Sequence, residues 1–493
     1  MEKYILSFDA GTTSSRAIVF DSKQHIVSIA QKEFTQYYPH PSWVEHDAKE
    51  IWTTQLTVAR EALEKAGISG ADVNAIGITN QRETTVVWDK DTGLPVCNAI
   101  AWQCRRTADI CDEIVSQGWG DAIRKKTGLI PDAYFSATKI KWILDRFDPD
   151  RSRSRNGELL FGTIDTWLLW NLTGGAVHAT DPSNACRTML YNIHEMDWDD
   201  ELLDLFGVPR KMLPEVRNSS GDFGNTSPSL FEVPIPITGI AGDQQAALFG
   251  QTAFYEGDVK NTYGTGCFIL MNTGERPVAS RNGLLTTVGW RIGDKVTYVL
   301  EGSVFIGGAV IQWLRDELCI ISSAADSELE AQKVPDTAGV YFVPAFTGLG
   351  APHWEPDVRG TIVGLTRGAN RNHIVRAALE AIAFQSKDVI EAMKQDVGVL
   401  TSLDVDGGAS ANNFLMQFQA DILGIPVCRP SCTESTALGA ASLAGLYTGF
   451  YKSMDDLKAG RENDRVFMPS MDEKMRSELT EGWQKAINAA KSL

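Results

Sequence analysis

Long apolar runs are missing from this sequence of 493 residues. The apolar start, residues 1–8, contains Glu2 and ends before Asp9, so it is too short for the apolar region of a secretory signal. The uncharged stretch at residues 435–451 is rich in small residues and falls below the about 20 residues that span a bilayer. We therefore expect no membrane insertion, a close-packed helix at residues 435–451, and a cytoplasmic location.

An excess of positive charge and paired cysteines are also missing. Lys and Arg number 46 against 63 Asp and Glu, which gives a net charge of −17. Because such a chain repels nucleic acid in bulk, no nucleic-acid partner is expected. The eight cysteines show no CxxC pair and no zinc-like spacing with histidine, which indicates reduced thiols. A polyphosphate ligand would need local compensation from a metal ion, backbone amides and a few arginines.

A strand, turn, strand pattern occurs twice in the chain. Apolar strands are predicted at residues 3–8 and 16–21 around a turn of glycine and hydroxyl residues. They are predicted again at residues 257–263 and 267–272, around Gly264-Thr265-Gly266. The repetition predicts two related halves.

Helices and strands alternate between and after the two hairpins. Helices are predicted at residues 51–66, 374–394 and 413–423, and strands at 75–79 and 402–405. This alternation favours an α/β architecture. Because 493 residues exceed what one core holds, we expect two domains, residues 1–250 and 251–493, divided where the second hairpin begins.

The first turn carries the chemistry of a phosphate site. Asp9 ends the strand, Thr12, Thr13 and Ser14 supply hydroxyls, and Arg16 follows. Backbone amides and hydroxyls bind phosphate oxygens, a guanidinium binds them bidentately, and a carboxylate holds Mg²⁺ directly or through water. An ordinary hydroxyl-rich hairpin turn is the alternative. The Walker A and Gly-x-Gly-x-x-Gly patterns are absent from this turn, which disfavours the P-loop and dinucleotide-binding classes.

The second turn, Thr262-Tyr263-Gly264-Thr265-Gly266-Cys267, offers similar groups without a carboxylate. A Gly-x-Gly sequence alone is weak evidence, because tight hairpins use it widely. Two such hairpins together suit a nucleotide whose phosphates are clamped between two domains. In that geometry, positioning and charge neutralisation supply most of the catalysis.

Longer motifs carry a resemblance to a known family. They are Gly77-Ile-Thr-Asn-Gln-Arg-Glu-Thr-Thr85, Ala101-Trp-Gln-Cys-Arg-Arg106, Gly239-Ile-Ala-Gly-Asp-Gln-Gln-Ala-Ala-Leu248, Asn261-Thr-Tyr-Gly-Thr-Gly-Cys-Phe268, Pro344-Ala-Phe-Thr-Gly-Leu-Gly-Ala-Pro352 and Asp406-Gly-Gly-Ala-Ser-Ala-Asn-Asn413. Over nearly its whole length the chain resembles the FGGY carbohydrate kinases of the actin and hexokinase ATPase superfamily. The resemblance implies an α/β fold of two actin-like, ribonuclease H-like domains with a cleft between them.

Within that family, the motifs are most similar to those of members that phosphorylate glycerol with ATP. By this resemblance, Asp243 is the general base that takes a proton from the acceptor hydroxyl. The residues implied to bind glycerol are Arg82, Glu83, Trp102, Tyr134, Asp243, Gln244 and Phe268. From the residues alone, two alternatives stay open: Asp243 caps a helix, and the aromatic side chains belong to a core.

The resemblance also implies a site for Mg·ATP. The implied phosphate contacts are Thr12, Thr13, Ser14, Arg16 and Thr265, and the implied adenosine contacts are Gly308, Gln312, Gly408 and Asn412. Asp9 is implied as the Mg²⁺ partner, through water. The glycine turn at residues 406–408 allows the backbone to approach a flat ligand closely.

Ala10 and His353 depart from the family pattern. Ala10 stands where the glycerol-specific members often have Gln, and His353 stands where Tyr is common. Residues 218–236 lack the signatures for fructose 1,6-bisphosphate binding and for histidine phosphorylation found in some bacterial members, so neither regulation is expected. The family implies a homodimer or homotetramer. The rival functions are a family member acting on xylulose, ribulose or gluconate, an actin-like ATPase without a small acceptor, and an inactive scaffold.

Overall fold

The computed structural model describes residues 2–398 and 400–493. The strands of the first half are β1 (Tyr4–Ala10), β2 (Ser14–Phe20), β3 (Ile26–Glu33), β4 (Gln36–Tyr37), β5 (Glu45–His46), β6 (Val73–Asn80), β7 (Val86–Asp89), β8 (Ala99–Ile100), β9 (Leu159–Gly162), β10 (Ala179–Thr180), β11 (Tyr191–Asn192), β12 (Asp197–Trp198), β13 (Glu215–Val216) and β14 (Ile237–Gly242). Its α-helices are α1 (Ala48–Ala66), α2 (Ala108–Ser116), α3 (Gly120–Thr127), α4 (Ser136–Phe147), α5 (Ser152–Asn156), α6 (Ile164–Leu172), α7 (Pro182–Ala185), α8 (Asp200–Phe206), α9 (Pro228–Phe231) and α10 (Asp243–Gly250).

The second half alternates strands and helices in the same way. Its strands are β15 (Val259–Tyr263), β16 (Cys267–Gly274), β17 (Leu285–Ile292), β18 (Lys295–Val304), β19 (Tyr341–Val343), β20 (Thr361–Val363), β21 (Leu403–Asp406), β22 (Val427–Pro430) and β23 (Asn463–Phe467). Its α-helices are α11 (Ala309–Asp316), α12 (Asp326–Ala331), α13 (Arg371–Val397), α14 (Asn413–Leu423), α15 (Ser435–Thr448), α16 (Met454–Ala459) and α17 (Glu473–Lys491). Short 3₁₀ helices cover Gly70–Asp72, Cys186–Thr188, Arg210–Met212 and Gly408–Ala411.

The five strands of the first mixed sheet have counterparts, in the same spatial order, among the seven strands of the second. The first sheet runs β14-β6-β1-β2-β3, and the second runs β17-β18-β16-β15-β21-β22-β23. In each sheet a hairpin, β1 with β2 or β15 with β16, is antiparallel, and a third antiparallel strand, β3 or β18, lies beside it. On the other side of the hairpin, β6 and β14, or β21 and β22, run parallel to its first strand. The predicted repeat is confirmed, and it extends over five strands.

Local sequence signals set the limits of α1, which covers one face of the first sheet. The Asp47 side chain accepts a hydrogen bond from the backbone nitrogen of Lys49 at 2.8 Å, which satisfies one of the free donors at a helix start. Gly67 ends the helix with a φ of 68°, in the left-handed region that favours glycine. The buried side of α1 contacts β2 and β3.

Helices α10 and α15 lie against each other where the two halves meet. α15 belongs to the second half of the chain, yet it packs on β1, β6 and β14 of the first sheet, while α10 also contacts β15 and β16 of the second. Apolar residues from both halves, such as Phe20, Leu270 and Leu443, form one buried cluster here. Because α15 belongs to residues 251–493 but packs on the sheet of residues 1–250, the division into these two domains stays a prediction.

Most of the uncharged stretch at residues 435–451 forms α15, which ends at Thr448 and is buried from Ala437 to Gly445. This confirms the prediction of a close-packed helix. Within the two described ranges, no helix combines the length and the apolar character that a membrane crossing requires.

Glycines allow α10 and α15 to approach closely, which gives a test of the contact. A Cβ built at Gly439 would overlap the carbonyl oxygen of Ala246, so Gly439→Ala must push the helices apart. We expect a loss of roughly 1–3 kcal/mol or more in the free energy of unfolding, because overpacking against backbone has little room to relax. Thermal unfolding measures this loss.

Gly120→Ala is the matched control. Gly120 begins α3, and nothing lies within 4 Å of a Cβ added there. The control should leave the melting temperature unchanged or raise it slightly, since alanine favours helix. Equal melting temperatures for Gly439→Ala and the native protein would contradict the close contact.

Candidate active site

The carboxyl ends of the parallel strands bring the predicted residues together. In the first sheet, Ala10 of β1 and Gly242 of β14 both pair with Asn80 of β6. In the second sheet, Thr262 of β15 pairs with Asp406 of β21. Ligands of open α/β sheets bind at such strand ends. The two glycine turns, the segment after Asn80 and the start of α10 therefore line the same candidate site.

The first turn is a tight loop of three residues, 11–13, and the predicted residues Asp9, Ser14 and Arg16 lie on the strands on either side of it. Gly11 donates its backbone N–H to the carbonyl of Ser14 at 2.9 Å, and Asp9 pairs with Arg16 across the hairpin. Burial raises the pKa of the Asp9 carboxyl to about 6, although Arg16 opposes this shift. The Arg16 guanidinium forms an ion pair with Glu434, at the start of α15. Arg16 is thus held by a carboxylate from the second half of the chain.

Gln81, directly after β6, binds the turn next to Ala10 through its backbone and side-chain amide groups. The backbone N–H of Gln81 donates to the carbonyl of Ala10 at 2.7 Å, and the Gln81 side-chain amide donates to the carbonyl of Gly11 at 3.0 Å.

His353 is the second residue that departs from the family pattern. Its Nε2 lies 3.2 Å from Asp388, and nothing in its contacts assigns it a role at this site.

Glycines in the second turn and directly after β21 leave the backbone there without side chains. Gly407 has a φ of 83°, and a Cβ there would overlap the backbone of Tyr263, so this position requires glycine. Gly408, by contrast, has nothing within 4 Å of an added Cβ, which leaves open space beside the backbone. The backbone N–H of Gly308 donates to the carbonyl of Gly264 at 2.8 Å, which joins the start of α11 to the turn.

The remaining predicted nucleotide residues lie on the surrounding helix starts. Thr265 accepts backbone hydrogen bonds from Gly307 at 2.8 Å and from Ala309 at 3.1 Å, and Gln312 is exposed on the first turn of α11. Asn412 caps α14 by accepting from the backbone nitrogen of Leu415 at 2.9 Å. Asn412 directly follows the 3₁₀ turn Gly408–Ala411, and its contact with adenosine stays a prediction.

Asp243 is the first residue of α10, directly after β14. Its side chain is 29% exposed, with Oδ1 3.3 Å from Arg82 Nε. The same oxygen accepts from the backbone nitrogen of Gln244 at 2.7 Å. Gly242, not Asp243, is the N-cap residue of α10, so the alternative that Asp243 caps a helix is wrong, and its role as the base stays a prediction.

Arg82 and Glu83 belong to a buried network of charges. Arg82 binds Glu301 of β18 with two hydrogen bonds, Nη1 to Oε2 at 2.5 Å and Nη2 to Oε1 at 3.2 Å. Arg187 donates to Glu83 at 2.6 Å and to Glu301 at 2.9 Å. All four side chains are at most 2% exposed. Glu83 itself has a φ of 61°, a conformation rare outside glycine that recurs at functional sites.

Arginine pairing decides the protonation of Glu301. Burial alone would raise the pKa of its carboxyl, but the guanidinium groups of Arg187 and Arg82 bring that pKa down to about 2. Glu301 is therefore ionised at neutral pH. A single carboxylate that neutralises two buried arginines fixes the direction in which Arg82 points.

Aromatic side chains wall the space beside Arg82. The Tyr134 hydroxyl accepts from Arg82 Nη2 at 3.3 Å, and its ring centre lies 5.5 Å from that of Trp102. Trp102 Nε1 donates to the Thr12 hydroxyl at 3.0 Å. Phe268 lies half-buried on β16. An indole that contacts both the acceptor residues and the first turn joins the two predicted subsites.

A second buried polar network supports the peptide that precedes Asp243. The backbone N–H of Gly242 donates to the Ser183 hydroxyl at 2.9 Å, and that hydroxyl donates to Asp181 at 2.9 Å. Asn184 links Asp181 to Asn80 at the end of β6. The start of α7 therefore holds both β14 and β6 at their functional ends.

The chemistry of the cleft fits a nucleotide that brings its own cation. Within the described ranges, no three His, Cys, Asp or Glu side chains are grouped closely enough to bind a metal ion. Arg16 Nε and Asp406 Oδ1 are buried without a hydrogen-bond partner. Mg²⁺ is commonly held by one or two carboxylates plus substrate phosphates. Asp9 is the carboxylate of the first turn that fits such a role.

Sequence reasoning missed Arg187, Glu301 and Lys260 of this site. Lys260 is fully buried on β15 and contacts Gln244. A charged residue inside an apolar strand, as in Val299-Leu300-Glu301 or Val259-Lys260, is a usable signal because burial of a charge is costly. Arg187 lies in no recognisable pattern, and only the fold brings it to Glu83.

Two similar halves, each with a glycine turn on its central hairpin, define an actin-like ATPase fold. The N-terminal domain of the FGGY family of carbohydrate kinases matches residues 4–250, and the C-terminal domain of that family matches residues 259–447. Together these matches cover most of the chain. The chain belongs to the FGGY family of carbohydrate kinases.

Relatives of full length share one name. The glycerol kinase of Caldanaerobacter subterraneus subsp. tengcongensis is 62% identical over 491 residues, which cover 99% of both chains. Glycerol kinase 2 of Thermotoga maritima is 60% identical over 487 residues, which cover 99% of this chain and 98% of the relative. The crystal structure of Plasmodium falciparum glycerol kinase with ADP matches with a TM-score of 0.93 at 38% identity, over 99% of this chain and 98% of that one.

Glu301→Gln tests the network around Arg82. The substitution keeps the shape but removes the charge that two buried arginines share, which typically costs about 3–5 kcal/mol. We expect a lower melting temperature and a raised KM for the phosphoryl acceptor, because Arg82 loses its fixed direction. Thermal unfolding and steady-state kinetics measure the two effects.

Glu201→Gln serves as the control for that substitution. Glu201 pairs with Lys126 and is 57% exposed, so its exchange should change neither quantity measurably. The role of Glu301 would be refuted if Glu301→Gln and Glu201→Gln behaved alike.

Asp165 provides a test of pH dependence. It is fully buried on α6, accepts hydrogen bonds from Thr163 at 2.5 Å and Thr180 at 2.6 Å, and burial raises the pKa of its carboxyl to about 6. Because an exposed Asp titrates near about 3.9, the folded protein holds a proton that the unfolded chain releases. This stabilising contribution is present below pH 4 and is lost as the pH rises through 6.

Asp165→Asn removes this titration, so its stability relative to the native protein should increase between about pH 4 and pH 6.5. The measurement is the melting temperature of both proteins across that range. Asp112→Asn, on the exposed side of α2, is the control and should show a constant difference. A constant difference for Asp165→Asn as well would contradict the raised pKa.

Proposed function

We propose that this protein transfers the γ-phosphoryl group of ATP to a terminal hydroxyl of glycerol, giving sn-glycerol 3-phosphate and ADP. The observation that carries the proposal is the position of Asp243, a partly exposed carboxylate held 3.3 Å from Arg82 at the start of α10. Further support comes from the full-length relatives named glycerol kinase at about 60% identity.

In the proposed mechanism, Asp243 accepts the proton of the attacking hydroxyl. That hydroxyl oxygen forms a bond to the γ-phosphorus in line with the bond that breaks, and ADP leaves with the bridging oxygen. Arg82 and Glu83 orient the acceptor hydroxyls, with Trp102, Tyr134, Gln244 and Phe268 around the carbon chain. A small polar pocket of this kind penalises ligands that lack the hydroxyls.

The nucleotide is proposed to lie between the two turns. Thr12, Thr13, Ser14, Arg16 and Thr265 contact the phosphates, and Gly308, Gln312, Gly408 and Asn412 contact the adenosine. The open space beside Gly408 supports this assignment. Asp9 would hold Mg²⁺ through water, and the ion when bound supplies neutralisation of the phosphate charge.

The proposal assigns glycerol mainly to residues 1–250 and ATP mainly to residues 251–493. Two ion pairs join the two parts of the chain: Glu301 binds Arg82, and Glu434 binds Arg16. Residues of the second part therefore also contribute to the glycerol side. We also propose a cytoplasmic enzyme that works as a homodimer or homotetramer, which the family suggests.

Acceptor-dependent release of ADP tests the proposal. Glycerol should stimulate ADP release from Mg·ATP strongly, while xylulose, ribulose, gluconate and buffer alone should not. Asp243→Asn should lower kcat by roughly a hundred- to ten-thousandfold, the usual contribution of a general base, with little change in folding. Asp112→Asn is the matched control and should keep native turnover.

The arms of this assay separate the alternatives. Stimulation by a different polyol would keep the family but overturn glycerol as the substrate. ATP turnover indifferent to every acceptor would indicate an ATPase that acts without a small acceptor. Full activity of Asp243→Asn would remove Asp243 as the base.

A further inference from the structure

Lys260 is a lysine buried in the middle of the candidate site. It lies on β15, two residues before Thr262, and its side chain has no exposure to solvent. Residues two apart on a strand point to the same face, so Lys260 extends beside Thr262 towards α10. A fully buried lysine is unusual, because lysine is almost never fully buried unless it is paired.

The ammonium group of Lys260 uses its donors on three elements of the site. Nζ donates to Gln244 Oε1 at 2.5 Å, to the Thr262 hydroxyl at 2.8 Å and to the carbonyl of Phe268 at 3.2 Å. An ammonium group has three protons, so all of them are engaged. Lys260 therefore has no donor left for a substrate, and it acts on its neighbours.

The charge of Lys260 is not neutralised by a direct ion pair. Among the described residues, no carboxylate oxygen lies within 4.0 Å of its Nζ, although Asp406 and Asp243 act on it from further away. Burial lowers the pKa of its ammonium group to about 8, and these two carboxylates oppose that shift. An apolar residue of similar length would avoid the cost of this burial. Packing alone thus gives no reason for lysine here.

The partners of Lys260 lie on both sides of the proposed reaction. Gln244 follows Asp243, and its backbone nitrogen donates to the Asp243 carboxylate at 2.7 Å. Thr262 precedes the second glycine turn, and Phe268 follows it. Gln244 is 8% exposed, so its side chain has little freedom once Lys260 holds it.

We propose that Lys260 is a positioning residue that holds Gln244, and with it Asp243, in register with the second phosphate turn. It connects the start of α10 to β15, so the base and the phosphoryl group keep a fixed separation. This inference rests on the proposed function, because its effect is read in phosphoryl transfer. Displacements of about 1 Å between reacting groups cost up to roughly a hundredfold in rate.

Lys260→Met tests the inference in the full-length protein. Methionine keeps the length of the side chain and removes the donors and the charge. We expect kcat for glycerol phosphorylation to fall roughly ten- to a hundredfold, while KM for glycerol and KM for ATP each change less than threefold. The melting temperature should stay within a few degrees of the native value, because no ion pair is broken. Lys126→Met, which removes a lysine paired with Asp199 and Glu201, is the control and should leave kcat unchanged.

A double-mutant cycle with Gln244→Met identifies the route of the effect. If Lys260 acts through Gln244, the double variant should lose no more in kcat than the more damaging single variant. If the double variant shows the product of the two single losses in kcat, the inference is overturned. A native kcat in Lys260→Met would overturn it as well. If Lys260→Met fails to fold, Gln244→Met with native kcat and KM values would overturn it as well.

Failure of the proposed function gives a different result. In that case the native protein itself shows no glycerol-dependent release of ADP, and the variants cannot be ranked by it. Native activity with an unaffected Lys260→Met variant refutes the positioning role alone.

Discussion

Glu301 neutralises two arginines that come from the other half of the chain, and the rest of the site depends on this contact. Without its charge, Arg82 and Arg187 would be buried with only Glu83 and the half-exposed Asp243 between them. Removing one partner of a buried ion pair destabilises a protein far more than replacing the whole pair by apolar residues. The acceptor side of the cleft is thus complete only when β18 of the second sheet lies against the segment that follows β6. The orientation of Arg82, a predicted substrate residue, and the association of the two halves thus depend on one interaction.

The close contact of α10 with α15 explains how that association is held. Glycine at position 439 lets the backbones touch, and the apolar cluster around them draws on both sheets. The same α10 begins with Asp243 and receives Lys260 from β15. A helix that carries the proposed base at one end and contacts both sheets along its length would transmit the position of each sheet to the reacting groups. This geometry favours catalysis by alignment, which is what phosphoryl transfer requires.

Local features of the fold could be predicted from the sequence, and contacts between distant segments could not. The two hairpins and α14 (Asn413–Leu423) follow from apolar patterns and glycine turns within a few residues. Glu301, however, binds a partner 219 positions away, and Arg187 one that is 104 positions away. No local spacing encodes such pairs. The predicted roles of Arg82 and Asp243 came from long motifs, whereas the groups that orient them have no motif of their own. The placement of α15 on the first sheet was missed for the same reason.

The distribution of charge shows how an acidic chain can accommodate a nucleotide. The net charge of −17 opposes a polyphosphate at long range, so attraction must arise within the cleft. Arg16 lies on the first hairpin in an ion pair with Glu434, and Lys260 adds a buried positive charge next to the second turn. Asp9 and Asp406 lie among these groups and would repel phosphate by themselves. A divalent cation reverses the sign of that contribution, because it binds carboxylate and phosphate together. Under the proposed function, the acidic residues of the cleft would therefore favour the metal-bound nucleotide over the free one.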